Sequence, residues 1–150
     1  MKSLFDSTTL SEVKDRIETI SEGTTPNWGK MNSGQMLKHC QIPFNIINGT
    51  QEVKFKVGFL KKMIFSMMKP MMYNDKPWKQ SVPTGKEFII DYDVDFNTEK
   101  NNLLNLVDQF HDREDQEQWD PHPVFGKFKN DQWGKMNFKH LDHHLRQFGV

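Results

Sequence analysis

The chain has 150 residues, enough for one domain that buries about two thirds of its unfolded surface, so neither a disulfide nor a metal is needed merely to fold. Twenty Lys and Arg balance twenty Asp and Glu, which removes the cationic field that non-specific nucleic-acid binding needs and argues against a nucleic-acid partner. Apolar runs broken by Lys, Ser or Pro stay far below the roughly 20 residues that span a bilayer, the lone Cys40 cannot close an internal disulfide, and MKSLFDSTTLSEVKD holds no apolar signal core, so the expectation is a cytoplasmic protein without a membrane span.

Leu10, Val13, Ile17 and Ile20 recur at helical spacing after Thr9, with Glu12 placed to complete a capping box, and predict a first helix over about residues 9–22. GTTPNWGKMN reads as a loop. Ser33 then caps a second helix whose apolar face carries Met36, Cys40, Phe44 and Ile47, with His39 beside that face. Pro43 lacks the N–H that would reach the His39 carbonyl, so a kink is expected there. Leu60, Met63, Ile64, Met67, Met68 and Met71 form another helical stripe, and Pro70, Pro77, Pro83 and Gly85 break the next stretch into a long connection.

Phe88, Ile90, Tyr92, Val94 and Phe96 alternate with Glu87, Ile89, Asp91, Asp93 and Asp95, the period of an extended segment, but no second strand is available to pair with it. Asn97 caps a helix over about residues 98–116 bearing Leu103, Leu106, Val107 and Phe110, which fades into DREDQEQ before the turn DPHP. Asn130 or Asp131 opens the last helix, whose broad face carries Trp133, Met136, His140, Leu141, His144, Leu145 and Phe148 until Gly149 stops it. Trp28, Trp133 and Phe148 are expected to supply core area. WGKMN occurs at both 28–32 and 133–137, once in a loop and once in a helix, which does not read as an internal duplication.

Chemistry concentrates in the histidines. His140 and His144, one helical turn apart in HLDHH, share a face, while His143 points about a quarter turn away. Two such imidazoles plus a third from a neighbouring helix make an open metal site with a position left for water, and His39 is the best-placed third ligand. A purely structural zinc would instead prefer four protein ligands, often thiolates. The competing reading is that His140, His143, His144 and Arg146 are cations favoured near a helix C-terminus. His111 and His122 read as surface or structural residues, and Cys40 as a small buried side chain rather than a reactive thiol. Asp91, Asp93 and Asp95 look like the solvated side of the extended segment, and no phosphate loop, nucleophile elbow or cysteine-pair zinc motif occurs.

Taken together, WGKMNSGQMLKHC, HPVFG and QWGKMNFKHLDHHLRQFG resemble the DinB/YfiT-like superfamily, in particular an uncharacterised, bacterial branch ending in an HLDHHLRQFG-type stretch; the likeness is specific in these blocks and vague between Thr50 and Asn97. The resemblance implies an all-α chain forming a single domain over 1–150: a four-helix bundle of up-down-down-up type, with an irregular Met- and Pro-rich insertion between its second and third helices. It also implies a divalent metal held by His39, His140 and His144, with zinc the leading candidate and nickel or iron alternatives, and leaves His143 facing solvent or a substrate channel. Some members of that superfamily use a small cellular thiol, so the implied activity is a metal-dependent, thiol-dependent S-transferase or a hydrolase-like reaction on a small molecule. A homodimer is compatible with this assignment.

The alternative is a non-catalytic binding or membrane-surface module built on residues 54–79, where seven lysines stand against one acid and interleave with Met63, Ile64, Phe65, Met67 and Met68. Against it stands ordinary core packing of the methionine stripe with lysines at the rim.

Overall fold

The computed structural model describes residues 1–53, 58–82 and 84–150, with the side chains of residues 59, 61 and 62 outside that description. Among the described residues the chain is all-α, with helices α1 (Ser7–Thr19), α2 (Ser33–Ile47), α3 (Phe59–Met68), α4 (Phe96–His111) and α5 (Asn130–Gln147) and short 3-10 turns at Lys69–Met72 and Lys86–Phe88. An isolated antiparallel bridge between His122 and Gly126 is the sole strand-like pairing among them.

Helix ends are set by side chains other than some of those expected. α1 starts at Ser7, two residues before Thr9, which is itself buried inside the helix, and it stops at Thr19 rather than running to residue 22. Asn32, not Ser33, caps α2: its Oδ1 accepts from Gln35 N at 2.8 Å while Gln35 Oε1 accepts from Asn32 N at 3.0 Å, so the two satisfy each other's orphan amides. Ser33 is freed to donate its hydroxyl to the Glu22 carbonyl. Asp95, two residues before Asn97, caps α4 by accepting from Thr98 N at 2.7 Å, and that helix ends at His111 instead of residue 116. α2 remains α-helical through Pro43.

A single hydrophobic cluster joins α1, α2, α4 and α5 through Val13, Ile17, Met36, Leu37, Phe44, Leu103, Val107, Trp133, Leu141 and Leu145. α2 lies along α4 and also meets α5, and α1 packs on α4 and α5. The α2–α4 contact carries a buried polar clasp in which Gln41 Nε2 donates to the Glu99 carbonyl at 3.0 Å and to its carboxylate at 2.7 Å. Lys38 completes it with an ion pair to the same carboxylate at 3.3 Å. Those groups satisfy one another, which is what permits a carboxylate in a helix interface.

α3 behaves differently from the core stripe its spacing suggested. Leu60, Met63, Ile64, Met67, Met68 and Met71 are all exposed, Met67 at 77 % of its free surface. Of the basic residues in that region, Lys54 and Lys56 lie outside the described residues, as do the side chains of Lys61 and Lys62; Pro83 of the connection also lies outside them. The connection is instead fastened to α5 by Lys139, whose Nζ donates to the Met71 carbonyl at 2.7 Å, the Asn74 carbonyl at 2.9 Å and Asn74 Oδ1 at 2.7 Å. All three ammonium protons are thereby used.

The alternating stretch at 88–96 forms no strand and leads into α4, with Ile90 and Phe96 buried and Tyr92 exposed against its expected phase. His122 sits in the hairpin-like turn before α5, where its Nδ1 accepts from Val124 N at 3.1 Å and Phe125 N at 3.2 Å. An accepting nitrogen is an unprotonated one, and burial pushes His122 down to about 4 from its ordinary 6.5. His111 is likewise structural, its Nδ1 meeting the Leu4 carbonyl at 2.8 Å.

A pH dependence results. The unfolded chain protonates His122 near its ordinary value while the folded chain resists down to about 4, so the unfolded state binds the extra proton throughout that window. Stability therefore falls as pH drops through it, by at most about 1.4 kcal/mol per pH unit for this one group. Urea unfolding between pH 7 and 4.5 should show this decline, to which the other buried histidines also contribute, and His122→Asn, whose Oδ1 can accept in place of Nδ1, should make it shallower; equal slopes in the two proteins would contradict the assignment.

Candidate metal centre

Two helices bring three imidazoles together. α2 contributes His39, on the turn that carries Met36 and Cys40 into the core, and α5 contributes His140 and His144 one turn apart. One ligating atom from each of the three lies within 4.8 Å of the other two. His39 Nε2 and His140 Nε2 are 3.3 Å apart. Two nitrogens bound at about 2.0–2.1 Å to a tetrahedral zinc stand about 3.3 Å from each other, so that pair already has the spacing of a shared ion. Without an ion the same separation suits an N–H···N hydrogen bond, His140 donating to the unprotonated Nε2 of His39.

The other ring nitrogens of His39 and His144 are engaged. His39 Nδ1 meets the Phe88 carbonyl at 2.9 Å, and because a carbonyl only accepts, the proton sits on Nδ1 and leaves Nε2 with a lone pair facing the cluster. His144 Nδ1 lies 2.8 Å from Gln147 Oε1. Electrostatics keep the set uncharged: burial lowers His39, burial and then the neighbouring His144, His39 and His143 hold His140 well below its ordinary value, and burial followed by His39 lowers His144 to about 3. Neutral imidazoles are the form that ligates a cation.

His143 does not join the three, in keeping with its direction on the helix, but it does not face solvent either. It is only 8 % exposed, its ring packed near Trp28 (5.8 Å between centroids), Trp78 (5.7 Å) and His144 (5.1 Å), and its Nδ1 is buried without a hydrogen-bond partner. Trp78 also approaches His140 at 6.0 Å, so the Pro-rich connection supplies one wall of the centre and the 27–29 loop another. Trp133 and Phe148 are buried in the core as their spacing required, whereas Trp28 is only half-buried beside the histidines.

Sequence reasoning missed Gln147, the Phe88 carbonyl and Trp78. Gln147 stands three residues after His144, a spacing that places it on the same face and offered a signal; Phe88 and Trp78 reach the site only through the path of the connection, which has no periodicity to read.

A helical chain with three mutually facing histidines from two helices is thus defined by a compact imidazole cluster with divalent-cation spacing. The chain belongs to a family described as a protein of unknown function (DUF1569), which matches residues 2–149. No curated protein and no solved structure matches it.

Cys40, directly after His39, turns away from the cluster into the core; it is fully buried, its Sγ 3.5 Å from Met36 Sδ, and burial pushes its thiol up, away from the nucleophilic thiolate. A disulfide reagent such as Ellman's should leave the native protein unlabelled over hours and modify its one cysteine promptly in denaturant. Rapid labelling of the folded protein would show the thiol to be accessible.

Proposed function

We propose that the chain is a DinB/YfiT-like divalent-metal protein, a single domain whose α1, α2, α4 and α5 form an up-down-down-up four-helix bundle interrupted by the 48–95 insertion, and that His39, His140 and His144 hold the ion. The observation that carries this is the convergence of three neutral imidazoles within 4.8 Å, with His39 already oriented by a backbone carbonyl. Three protein ligands leave a coordination position open, the pattern of catalytic rather than structural zinc. Imidazole donors suit zinc first, with nickel and iron as the other candidates. A bound divalent ion supplies Lewis acidity, lowering the pKa of a water or thiol that it takes up. The chain's own residues hold that ion, and Trp28, Trp78 and His143 crowd water away from one side of it. The reading extends to a thiol-dependent S-transferase or hydrolase-like reaction on a small molecule in the cytoplasm.

Protein made without an affinity tag and stripped with chelator should take up a single equivalent of zinc. His39→Ala, His140→Ala and His144→Ala should each abolish stoichiometric binding, His143→Ala should retain it, and the stripped wild type should still unfold cooperatively, because the buried cluster of apolar side chains does not depend on the ion. Equal metal content in wild type and a His39→Ala, His144→Ala double variant would sink the assignment.

A second reading rests on a separate observation, the exposed apolar row that runs along α3 into the 3-10 turn after it. No helix among the described residues is long and apolar enough to cross a membrane, but a row bearing Leu60, Ile64, Met67 and Met71, set in the lysine-rich 54–79 segment, has the character of a helix that lies on an anionic surface. Co-sedimentation with phosphatidylserine vesicles but not with neutral ones, lost in an Ile64→Glu, Met67→Glu variant, is the expected result. Failure to pellet with either, or a concentration-dependent homodimer that the same variant dissolves, would assign the row elsewhere.

A further inference from the structure

Gln147 is only 4 % exposed, and both ends of its amide are committed. Its Nε2 donates to the Trp28 carbonyl at 2.6 Å, and its Oε1 faces His144 Nδ1 at 2.8 Å. The two contacts fix each other. A backbone carbonyl can only accept, so the end of the amide that meets Trp28 must be the NH2 group, which turns Oε1 toward the imidazole. Oε1 can only accept, so the proton of His144 sits on Nδ1 and the lone pair sits on Nε2. The backbone of a loop thereby decides which nitrogen of His144 is free for a cation.

That loop is docked for the purpose. Asn27 N donates to the Gln147 carbonyl at 2.7 Å, and Asn27 Nδ2 reaches the Arg146 carbonyl at 3.4 Å, so residues 27 and 28 lie across the last turn of α5. Gly29 follows at φ +87°, a left-handed conformation, and a Cβ placed there would collide with Gln147 Nε2. A side chain at 29 is therefore disfavoured by the backbone angle and would push the Gln147 amide from its place. The Trp28 ring, carried by the same loop, lies against His143.

We infer that Gln147 is a positioning residue through which the 27–29 loop sets the tautomer and direction of His144, so that metal affinity depends on the docking of a loop that contributes no ligand. The effect on affinity rests on the metal reading under Proposed function; the tautomer does not. Partners of this kind typically change metal affinity by about 10–100-fold when removed.

The test has two arms. In metal-free protein, the ring nitrogen shifts of His144, measured by 15N NMR and assigned with a His144→Gln variant, should report the Nδ1–H tautomer; an Nε2–H tautomer overturns the inference whether or not the protein binds metal. In the second arm, zinc affinity is measured by competition with a chromophoric chelator, alongside the visible spectrum of the cobalt(II) form. Gln147→Leu should weaken zinc by about 10–100-fold and alter the cobalt spectrum, Gly29→Ala should do so more mildly, and Gln147→Glu, which can still accept from Nδ1 but has no N–H for the Trp28 carbonyl, should also weaken zinc because the link to the loop is lost. Unchanged affinity and spectrum in both Gln147→Leu and Gly29→Ala overturn the inference. Absence of zinc binding by wild type would instead overturn the metal reading. Should Gln147→Leu fail to fold, the Gly29→Ala measurement and the tautomer decide the matter.

Discussion

Three imidazoles packed ring against ring inside a helical protein are tolerable only while all three are neutral. A proton on any of His39, His140 or His144 places a cation among its neighbours, away from water, and each ring accordingly resists protonation more than a free histidine does. This constraint shapes what surrounds them. A nitrogen turned away from the centre needs an acceptor so that its partner nitrogen can face inward unprotonated; His39 finds one in the Phe88 carbonyl and His144 in the Gln147 amide. The helices that deliver the rings must also keep their places in the core. The Gln41–Glu99–Lys38 clasp fixes α2 on α4, and the Asn32–Gln35 capping pair fixes where α2 begins.

The centre has two kinds of wall. On one side are helix positions whose geometry follows from the core; on the other are irregular stretches, the 27–29 loop and the connection that brings in Trp78. Irregular chain beside a site must be anchored, because it has no backbone ladder to hold it. Lys139 anchors the connection with three donated hydrogen bonds, from the same helix that carries His140 and His144. α5 thus supplies two of the rings and grips both irregular segments that enclose them.

The legibility of the sequence divides along the same line. The helical stripes of α1, α2, α4 and α5 were legible because core burial imposes a 3.6-residue period, and the meeting of His39 with His140 and His144 was foreshadowed by their places beside those stripes. Caps were less legible: Asn32 and Ser33 are both competent, as are Asp95 and Asn97, and the choice depends on tertiary partners such as the Glu22 carbonyl that claims Ser33. The methionine stripe misled as a core signal because periodicity reports that a helix is amphipathic, not what its apolar side meets. His143 lies out of the cluster as its helical direction required, but of the two surroundings expected for it, solvent or a substrate channel, solvent is excluded, since the covering Trp28 and Trp78 come from segments without a readable period.

The acceptor that orients His39 is a main-chain oxygen, not a side chain. Every residue type at position 88 presents the same carbonyl, so substitution there cannot delete the contact; only displacement of the backbone can. A survey of single substitutions would therefore find one of the determinants of this centre silent at its own position and audible elsewhere, at residues that steer the 86–88 turn. Variation among related chains at position 88 would then carry no information about whether the contact persists, and side-chain identity alone would understate how much of the surrounding chain the three rings require.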